Sequence, residues 1–115
     1  DVRAWIAAAD VVVVPSRWDG MSLVPLEAMA CARSVVATAV SGIAESVPDG
    51  AGAIVVTDDR AALAAAVVKR LLDPDLAQDE GWAGRAHVEA SYDMATSAQE
   101  LARVYLRLVG ERRAR

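Results

Sequence analysis

The stretch that decides the fold is "DVVVVPSRWDGMSLVPLEAMACARSVVAT", residues 10–38. Its run of valines ends at a proline, which predicts a buried parallel strand at residues 10–15, because such strands are apolar on both faces. Residues 22–32 then predict a helix, and residues 34–39 predict a second buried strand. The succession of strand, loop, helix and strand is typical of a parallel α/β sheet.

The rest of the chain continues this alternation and then becomes helical. Residues 2–9 predict a short amphipathic helix, residues 41–52 a helical turn followed by turn-forming residues, and residues 53–56 a third strand. Further helices are predicted over residues 60–72, 76–90 and 94–109, the second interrupted at Gly81 or Gly84. We therefore predict a Rossmann-like parallel sheet flanked by helices, followed by C-terminal helices and a solvated tail at residues 111–115.

Composition and charge exclude several classes of protein. The 115 residues, 55% hydrophobic and 24% charged, suit one globular domain. The net charge of −4 argues against nucleic acid as the main partner. No apolar run approaches the ~20 residues that cross a bilayer, no signal peptide is visible, and the single cysteine, Cys31, cannot form an internal disulfide. These features favour a cytoplasmic location.

The first residues bear on domain organisation. The chain begins at Asp1 rather than at a methionine, and a helix is already predicted from the second residue. We therefore expect a piece of a longer protein, a single domain over residues 1–115 that is truncated at its N-terminus, with a terminal helix and tail at residues 94–115. In that helix the apolar side chains fall on one stripe, which consists of Leu101, Val104, Tyr105 and Leu108.

Two carboxylates lie beyond the first strand, where ligands bind in open parallel sheets. Asp19 and Glu27 are separated by seven residues, with Asp19 in the loop and Glu27 just over a turn into the helix. Ser22 is the predicted N-cap of a helix that begins at Leu23, and Pro25 suits its first turn. An acid near a helix start often only complements the helix dipole, so a purely structural role for both acids stays open.

The segment between the two acids suits an anion. Unpaired amides at a helix start attract phosphate, and Gly20 lets the backbone come close to a ligand. Each acid can accept hydrogen bonds from hydroxyl groups, as carboxylates do when they bind a ribose. The spacing therefore indicates an elongated ligand with hydroxyl groups at both ends and negative charge in the middle. A nucleoside diphosphate sugar has that layout.

Three segments together resemble a known family. "PSRWDGMSLVPLEAMACARSVVAT", "SGIAESVPDGAGAIVV" and "YDMATSAQELARVY" are similar, in this order, to motifs of the group 1 retaining glycosyltransferases, which have the GT-B fold. The similarity covers nearly the whole chain. It implies the C-terminal, donor-binding half of an enzyme that moves a sugar from a nucleotide donor, a UDP- or GDP-sugar, with retention and without a bound metal. The resemblance also implies that the acceptor domain and a basic pair for the diphosphate lie in a missing N-terminal part.

The resemblance assigns roles to residues of the opening stretch. It implies that Glu27 holds the donor ribose and that Asp19 contacts hydroxyl groups of the transferred sugar, which makes Asp19 the candidate catalytic residue. The candidate substrate-binding residues are Gly20, Met21, Ser22, Leu23 and Glu27, the first four through backbone amides. Glu45 occupies the family's I-x-E position, where a structural role and a ligand contact are both open, the former preferred.

The chain departs from the family pattern in four places. Asp19 replaces the first glutamate of the motif and is one methylene shorter, which alters its reach to the sugar. Ala32 replaces a glycine and would be strained at a positive φ. Ser34 replaces a proline, and Ser41 replaces the first glycine of a pair; both changes suit a loop or turn. Arg17, adjacent to the site, is interpreted as a surface arginine.

Other residues have structural interpretations. His87 is the only histidine, and no His, Cys and acidic cluster has metal-ligand spacing, so neither a metal nor a cofactor is predicted. Cys31 is predicted to be a small buried residue, and Trp5 and Trp82 are predicted to pack in the core or between helices. Trp18 flanks the site, where it can stack on a ligand or fill apolar contacts of its own loop.

Two alternatives to a transferase fragment stay open. One is a non-catalytic GT-B-like module for binding or assembly, in which Asp19 has drifted from the family glutamate. The other is a nucleotide-sugar epimerase, which shares the GT-B architecture but not the spacing of the two acids. Peripheral membrane contact of the full protein is a further open point.

Overall fold

A three-stranded parallel sheet organises the protein in the computed structural model, which describes residues 1–113. Its strands are β1 (Val11–Val14), β2 (Ser34–Thr38) and β3 (Gly52–Val55), paired in the order β1-β2-β3. Val12 lies opposite Val35, and Val36 lies opposite Ala53, so all three carboxyl ends meet at one edge of the sheet. The predicted parallel α/β sheet is confirmed.

Six helices surround or extend this sheet among the described residues. Their bounds are α1 (Val2–Ala8), α2 (Val24–Ala30), α3 (Ile43–Ser46), α4 (Arg60–Leu72), α5 (Pro74–Ser91) and α6 (Met94–Arg113). α4 contacts all three strands, whereas α2 and α5 pack against each other and against β2. No helix within residues 1–113 is long and apolar enough to cross a membrane.

The core is centred on β2, whose five residues are all buried. The largest apolar side chains that are completely buried in this core are those of Met29 in α2, Ile43 in α3, and Val35 and Val36 in β2. The β-branched residues of β2 suit this position, because their stiff side chains pack well on a pleated surface. β2 is therefore the strand around which the other elements assemble.

α2 differs from its predicted bounds at the end that faces the site. The helix begins at Val24 rather than Leu23, and Leu23 is the N-cap, with no side chain that caps the helix. The prediction of Ser22 as N-cap is therefore wrong. Pro25 lies within the first two positions of the helix, as predicted, since the ring there displaces no helical hydrogen bond.

α5 is continuous, so the predicted interruption at Gly81 or Gly84 is wrong. The two glycines have a packing role instead. A Cβ at Gly81 would lie 2.1 Å from the carbonyl oxygen of Ala32, and one at Gly84 would lie 2.6 Å from Cγ of Met29. Glycine at these positions lets α5 pack directly against α2 and the turn that follows it.

A buried ion pair joins α4, α5 and β2. The Arg70 guanidinium donates to both carboxylate oxygens of Glu80, at 2.7 Å and 2.6 Å, and its Nε also donates to the Ser34 hydroxyl at 3.2 Å. The Ser34 hydroxyl in turn donates to Glu80 at 2.5 Å. Since Ser34 begins β2, this network lies at the amino end of the sheet.

Several side chains lie elsewhere than their hydrophobicity predicts. Trp5 is 80% exposed and Trp82 is 57% exposed, so the prediction that they pack in the core or between helices is wrong for most of their surface. Arg85 lies over the Trp82 ring, 5.8 Å from its centroid. Cys31 is half-buried and packs against the core, close to the prediction.

α6 contributes no buried residue to the fold. Its apolar stripe, Leu101, Val104, Tyr105 and Leu108, is exposed throughout. The molecule measures 62 × 26 × 26 Å, and its radius of gyration is 17.3 Å, against about 13 Å for a compact domain of this length. The helix therefore extends away from the body. It includes residues 111–113 of the predicted tail, and Ala114 and Arg115 lie outside the described residues.

Candidate functional site

The candidate site lies at the carboxyl edge of the sheet, in the loop between β1 and α2. This donor loop, residues 15–23, is fixed at its start by Thr38, the last residue of β2. The Thr38 hydroxyl donates to the carbonyl oxygen of Ser16 and lies 3.3 Å from that of Val14. Because Thr38 is buried, this contact joins the first part of the loop to the core.

Asp19 lies further along the donor loop and is half-buried. The Ser16 hydroxyl donates to the Asp19 carboxylate at 3.4 Å, a long contact. A carboxylate with this single weak contact keeps most of its capacity to accept further hydrogen bonds. Asp19 can therefore accept hydrogen bonds from hydroxyl groups of a ligand beside the loop.

Four consecutive amides of the donor loop lack protein partners. Within residues 1–113, the backbone N–H groups of Gly20, Met21, Ser22 and Leu23 donate no hydrogen bond to another protein group. Backbone donors of a folded protein are normally paired with protein, water or a ligand. These four therefore form a continuous set of donors that suits a negatively charged group.

Glu27 lies in the first turn of α2 and is exposed. It lines a cavity of about 280 Å³ between α1 and α2, together with Val2, Arg3, Ile6, Ala30 and Cys31. Its carboxylate forms no hydrogen bond or ion pair with another described residue. The side chain is thus free to accept hydrogen bonds from a pair of neighbouring hydroxyl groups.

A second cavity, of about 150 Å³, lies at the same edge between β1 and the start of α4. Its lining includes Ser16, Arg17, Thr38 and Asp58. Arg17 and Asp58 form an ion pair at 3.0 Å, with both side chains mostly exposed. Arg17 is therefore a surface residue, as predicted, and its ion pair connects the donor loop to the loop before α4.

The loop after β2 also contacts the donor loop. Gly42 packs so closely on Gly20 that a Cβ at Gly42 would lie 2.1 Å from the Gly20 carbonyl oxygen. The Glu45 carboxylate accepts a hydrogen bond from the Gly42 amide at 2.6 Å. The preferred structural role of Glu45 agrees with this bond, which caps the start of α3.

The sequence pattern locates the donor loop but not its supports. Asp19, Gly20, Met21, Ser22 and Leu23 lie on one loop, and Glu27 follows on the next helical turn. Thr38 and Asp58 carry no motif that marks them as supports, since both act through contacts between segments distant in sequence. The sequence marks Gly42 only through the "SGI" turn, which predicts its backbone conformation but not its contact with Gly20.

Residues away from this edge add no second reactive cluster. His87 and Tyr92 stack edge to face with ring centroids 5.7 Å apart, and the His87 ring is partly buried. Trp18 is 87% exposed, so its ring does not fill apolar contacts of its own loop. In the described part of the chain, no group of three or more His, Cys, Asp or Glu residues could hold a metal ion.

Comparisons with known proteins give this geometry a context. Residues 1–73 match the family described as "Glycosyl transferases group 1". The chain is 35% identical over 115 residues to the lipopolysaccharide core biosynthesis mannosyltransferase LpcC of Rhizobium leguminosarum bv. viciae, covering 99% of this chain and 33% of the relative.

Solved structures agree in fold. Sucrose-phosphate synthase from Thermosynechococcus elongatus superposes with a TM-score of 0.89 and 37% identity, over 93% of this chain and 27% of that one. The Anabaena protein HepE in complex with UDP superposes with a TM-score of 0.83 and 25% identity, over 88% of this chain and 28% of that one. The chain thus spans about a third or less of the length of these proteins.

The predicted fold and the predicted resemblance are both confirmed by these matches. The structural neighbours are GT-B glycosyltransferases, and the parallel sheet with its flanking helices has the same architecture. The match covers well over half of the sequence, and it includes the whole donor loop. This chain belongs to the group 1 glycosyltransferase family.

Proposed function

We propose that this chain binds the nucleotide-sugar donor, a UDP- or GDP-sugar, in a retaining glycosyltransferase that needs no bound metal. The observation that carries the proposal is the set of unpaired amides from Gly20 to Leu23, flanked by the carboxylates of Asp19 and Glu27. Family membership and the UDP bound to HepE support the same class of ligand. The acceptor domain, the single-domain assignment and the cytoplasmic location stay predictions.

The unpaired amides are proposed to bind the diphosphate. In glycosyl transfer, the bond between the anomeric carbon and a diphosphate oxygen breaks while a bond to the acceptor oxygen forms, so negative charge grows on the diphosphate. Fixed donors aimed at growing charge stabilise a transition state more than the ground state. In this proposal the amides of Gly20, Met21, Ser22 and Leu23 have that role, and they need no metal to fulfil it.

The two carboxylates are proposed to bind the ends of the donor. Glu27, exposed and without a partner among residues 1–113, accepts hydrogen bonds from the two ribose hydroxyl groups. Asp19, held only by the long contact from Ser16, accepts hydrogen bonds from the transferred sugar. Both contacts are charge-assisted, which makes them stronger than bonds between neutral groups.

A titration followed by NMR tests the proposed ligand. UDP and GDP are added at millimolar concentration to the ¹⁵N-labelled chain, once with EDTA and once with Mg²⁺. We expect shifts centred on the amides of residues 20–23, with the same apparent Kd in both buffers. Shifts that avoid this segment would contradict the proposed site, and shifts that need Mg²⁺ would contradict metal independence.

A matched pair of variants tests the role of Glu27. Glu27→Gln removes the charge of the proposed ribose ligand, whereas Glu100→Gln makes the same change at an exposed position on α6. A hydrogen bond to a charged group contributes roughly 1.5–3 kcal/mol, so we expect Glu27→Gln to raise the Kd for UDP by at least about tenfold. Equal Kd values for the two variants would contradict the assignment.

A further inference from the structure

One backbone contact at the carboxyl edge joins the donor loop to a loop that carries none of the proposed donor-binding residues. The backbone of Gly42, in the loop after β2, lies directly against the Gly20 peptide group. A Cβ built on Gly42 would be 2.1 Å from the Gly20 carbonyl oxygen, 3.2 Å from its carbon and 3.4 Å from the Met21 Cα. Only a residue without a side chain fits this position, so the backbones of the two loops are in direct contact here.

Glu45 fixes Gly42 from the other side. Its carboxylate accepts the hydrogen bond from the Gly42 amide at 2.6 Å, three residues back along the chain. Gly42 has a φ of +83°, a conformation that residues with a side chain rarely adopt. The bond is therefore made in the same conformation in which Gly42 packs on Gly20.

Because the peptide bond is planar, the contact with the Gly20 carbonyl also sets the direction of the Met21 N–H group. The carbonyl of Gly20 and the N–H of Met21 belong to one planar, trans peptide group and point in opposite directions. A neighbour that restrains the Gly20 carbonyl therefore also directs the Met21 N–H away from Gly42. The Met21 amide is one of the donors without a protein partner in the donor loop.

We propose that Gly42 and Glu45 are positioning residues for donor binding, and that they act by holding the Gly20–Met21 peptide so that its N–H faces the diphosphate. The inference rests on the proposed function, because it assigns the Met21 amide to the diphosphate. Neither positioning residue needs to touch the ligand. Both act through the backbone of the donor loop.

Gly50 provides a matched control for Gly42. Gly50 has a φ of +86°, close to the +83° of Gly42, but no atom lies within 4 Å of a Cβ built on it. It precedes β3 and so lies at the amino end of the sheet, away from the donor loop. Gly42→Ala and Gly50→Ala therefore share the same backbone strain, and only Gly42→Ala also collides with Gly20.

The experiment compares both variants with the unchanged chain by NMR, first without ligand and then with UDP. We expect Gly42→Ala to shift the Met21 amide signal before any ligand is added and to raise the Kd for UDP about tenfold, the effect of one lost charge-assisted hydrogen bond. Gly50→Ala should lower the melting temperature less than Gly42→Ala does, because it adds backbone strain without the collision, and should leave the Kd within about twofold of the original.

Glu45 allows a test by graded substitution. Glu45→Ala removes the acceptor for the Gly42 amide, whereas Glu45→Gln keeps an oxygen that can accept it. We expect the Kd for UDP to rise with Glu45→Ala and to return most of the way with Glu45→Gln. Asp93→Ala is the control, because Asp93 accepts the Thr96 amide at 2.8 Å in the same way at the start of the remote helix α6.

The outcomes separate this inference from the proposed function. If the unchanged chain binds UDP and Gly42→Ala binds it as well as Gly50→Ala does, the positioning role is wrong and the proposed function stands. If the unchanged chain does not bind UDP at all, the proposed function fails, and the positioning role fails with it. A Kd that rises for Gly42→Ala but not for Gly50→Ala, and that rises for Glu45→Ala with partial recovery in Glu45→Gln, supports both.

Discussion

Ala32 shows how a single residue stores strain in this fold. Its φ is +54°, in the left-handed region, and it lies in the turn that follows α2. The related family has glycine here, and the sequence already indicated that alanine would be strained at a positive φ. The left-handed conformation costs a residue with a Cβ roughly 1–2 kcal/mol, partly offset because glycine loses more entropy on folding.

We therefore expect Ala32→Gly to stabilise the protein. The free energy of unfolding, measured by urea denaturation, should rise by about 0.5 kcal/mol, the difference between relieved strain and added entropy loss. Ala61→Gly, at an exposed position within α4, is the control and should lower the same quantity by about 1 kcal/mol. A loss of stability in both variants would show that Ala32 is not strained.

Asp93 makes the stability of the first turn of α6 depend on pH. Hydrogen bonds from the Thr96 amide, the Thr96 hydroxyl and the Ala95 amide hold the pKa of Asp93 below its usual value of 3.8. A lowered native pKa means that the ionised form supports the folded helix start. This support is present above the ordinary pKa and is lost as the pH falls through the lowered one.

We accordingly expect α6 to fray at its first turn on acidification. The Thr96 amide signal should move with the titration of Asp93, at a pH below the ordinary aspartate value, while Asp93→Asn should keep a cap without that dependence. Both are read from NMR spectra recorded between neutral and strongly acidic pH. A Thr96 signal that titrates at the ordinary value would contradict the shift.

Residue-scale prediction from sequence succeeded where the cause is local. The turn after α3 follows from its proline and glycine, and the strain at Ala32 follows from the glycine that the family resemblance implies there. The two acids lie after a strand and in the next helix, as predicted, and their role as ligands stays a prediction. The predicted burial of Trp5 and Trp82 was wrong, because burial depends on which other elements cover a side chain. Contacts such as Gly42 with Gly20 also escaped prediction, because they join loops whose separation is fixed only by the folded sheet.

At the scale of elements, one charged pair connects three of them. Arg70 is on α4, Glu80 is on α5 and Ser34 begins β2, and both charged side chains are less than a tenth exposed. No sequence pattern marks these residues as partners, since ten positions and a change of helix separate the two charges. The bidentate geometry satisfies charges that would be costly to bury alone.

We expect Glu80→Gln to destabilise the fold strongly. It leaves the buried Arg70 guanidinium without a counter-charge, which costs about 3–5 kcal/mol in the free energy of unfolding. Glu89→Gln breaks the exposed Arg85–Glu89 pair on the same helix, and there the change should stay within about 0.5 kcal/mol. Urea denaturation measures both, and similar values for the two variants would contradict a structural role of the buried pair.

For the molecule as a whole, the order and type of the elements were predictable and their relative placement was less so. Alternating strands and helices gave the parallel sheet, because right-handed crossovers leave few other arrangements. The close contact of α2 with α5 was missed, because Gly81 and Gly84 were interpreted as breaks. In the folded protein they are points of contact.

The separation of α6 from the body leads to a prediction about association. Shortening the chain to residues 1–93 removes no buried side chain, so the free energy of unfolding should change by less than about 0.5 kcal/mol. Sedimentation should show that the full chain associates with rising concentration through its exposed stripe and that the shortened chain does not. A shortened chain that fails to fold would show that α6 supports the core.

The complete enclosure of β2 has a consequence for how the protein opens. Every residue of this strand is buried, and it has a hydrogen-bonded neighbour on both sides. Its amide protons can therefore exchange with deuterated solvent only when a neighbouring strand detaches from it. The exchange rate of a single probe such as Val36 thus reports how often a strand detaches from β2, which could be followed in native buffer without any denaturant.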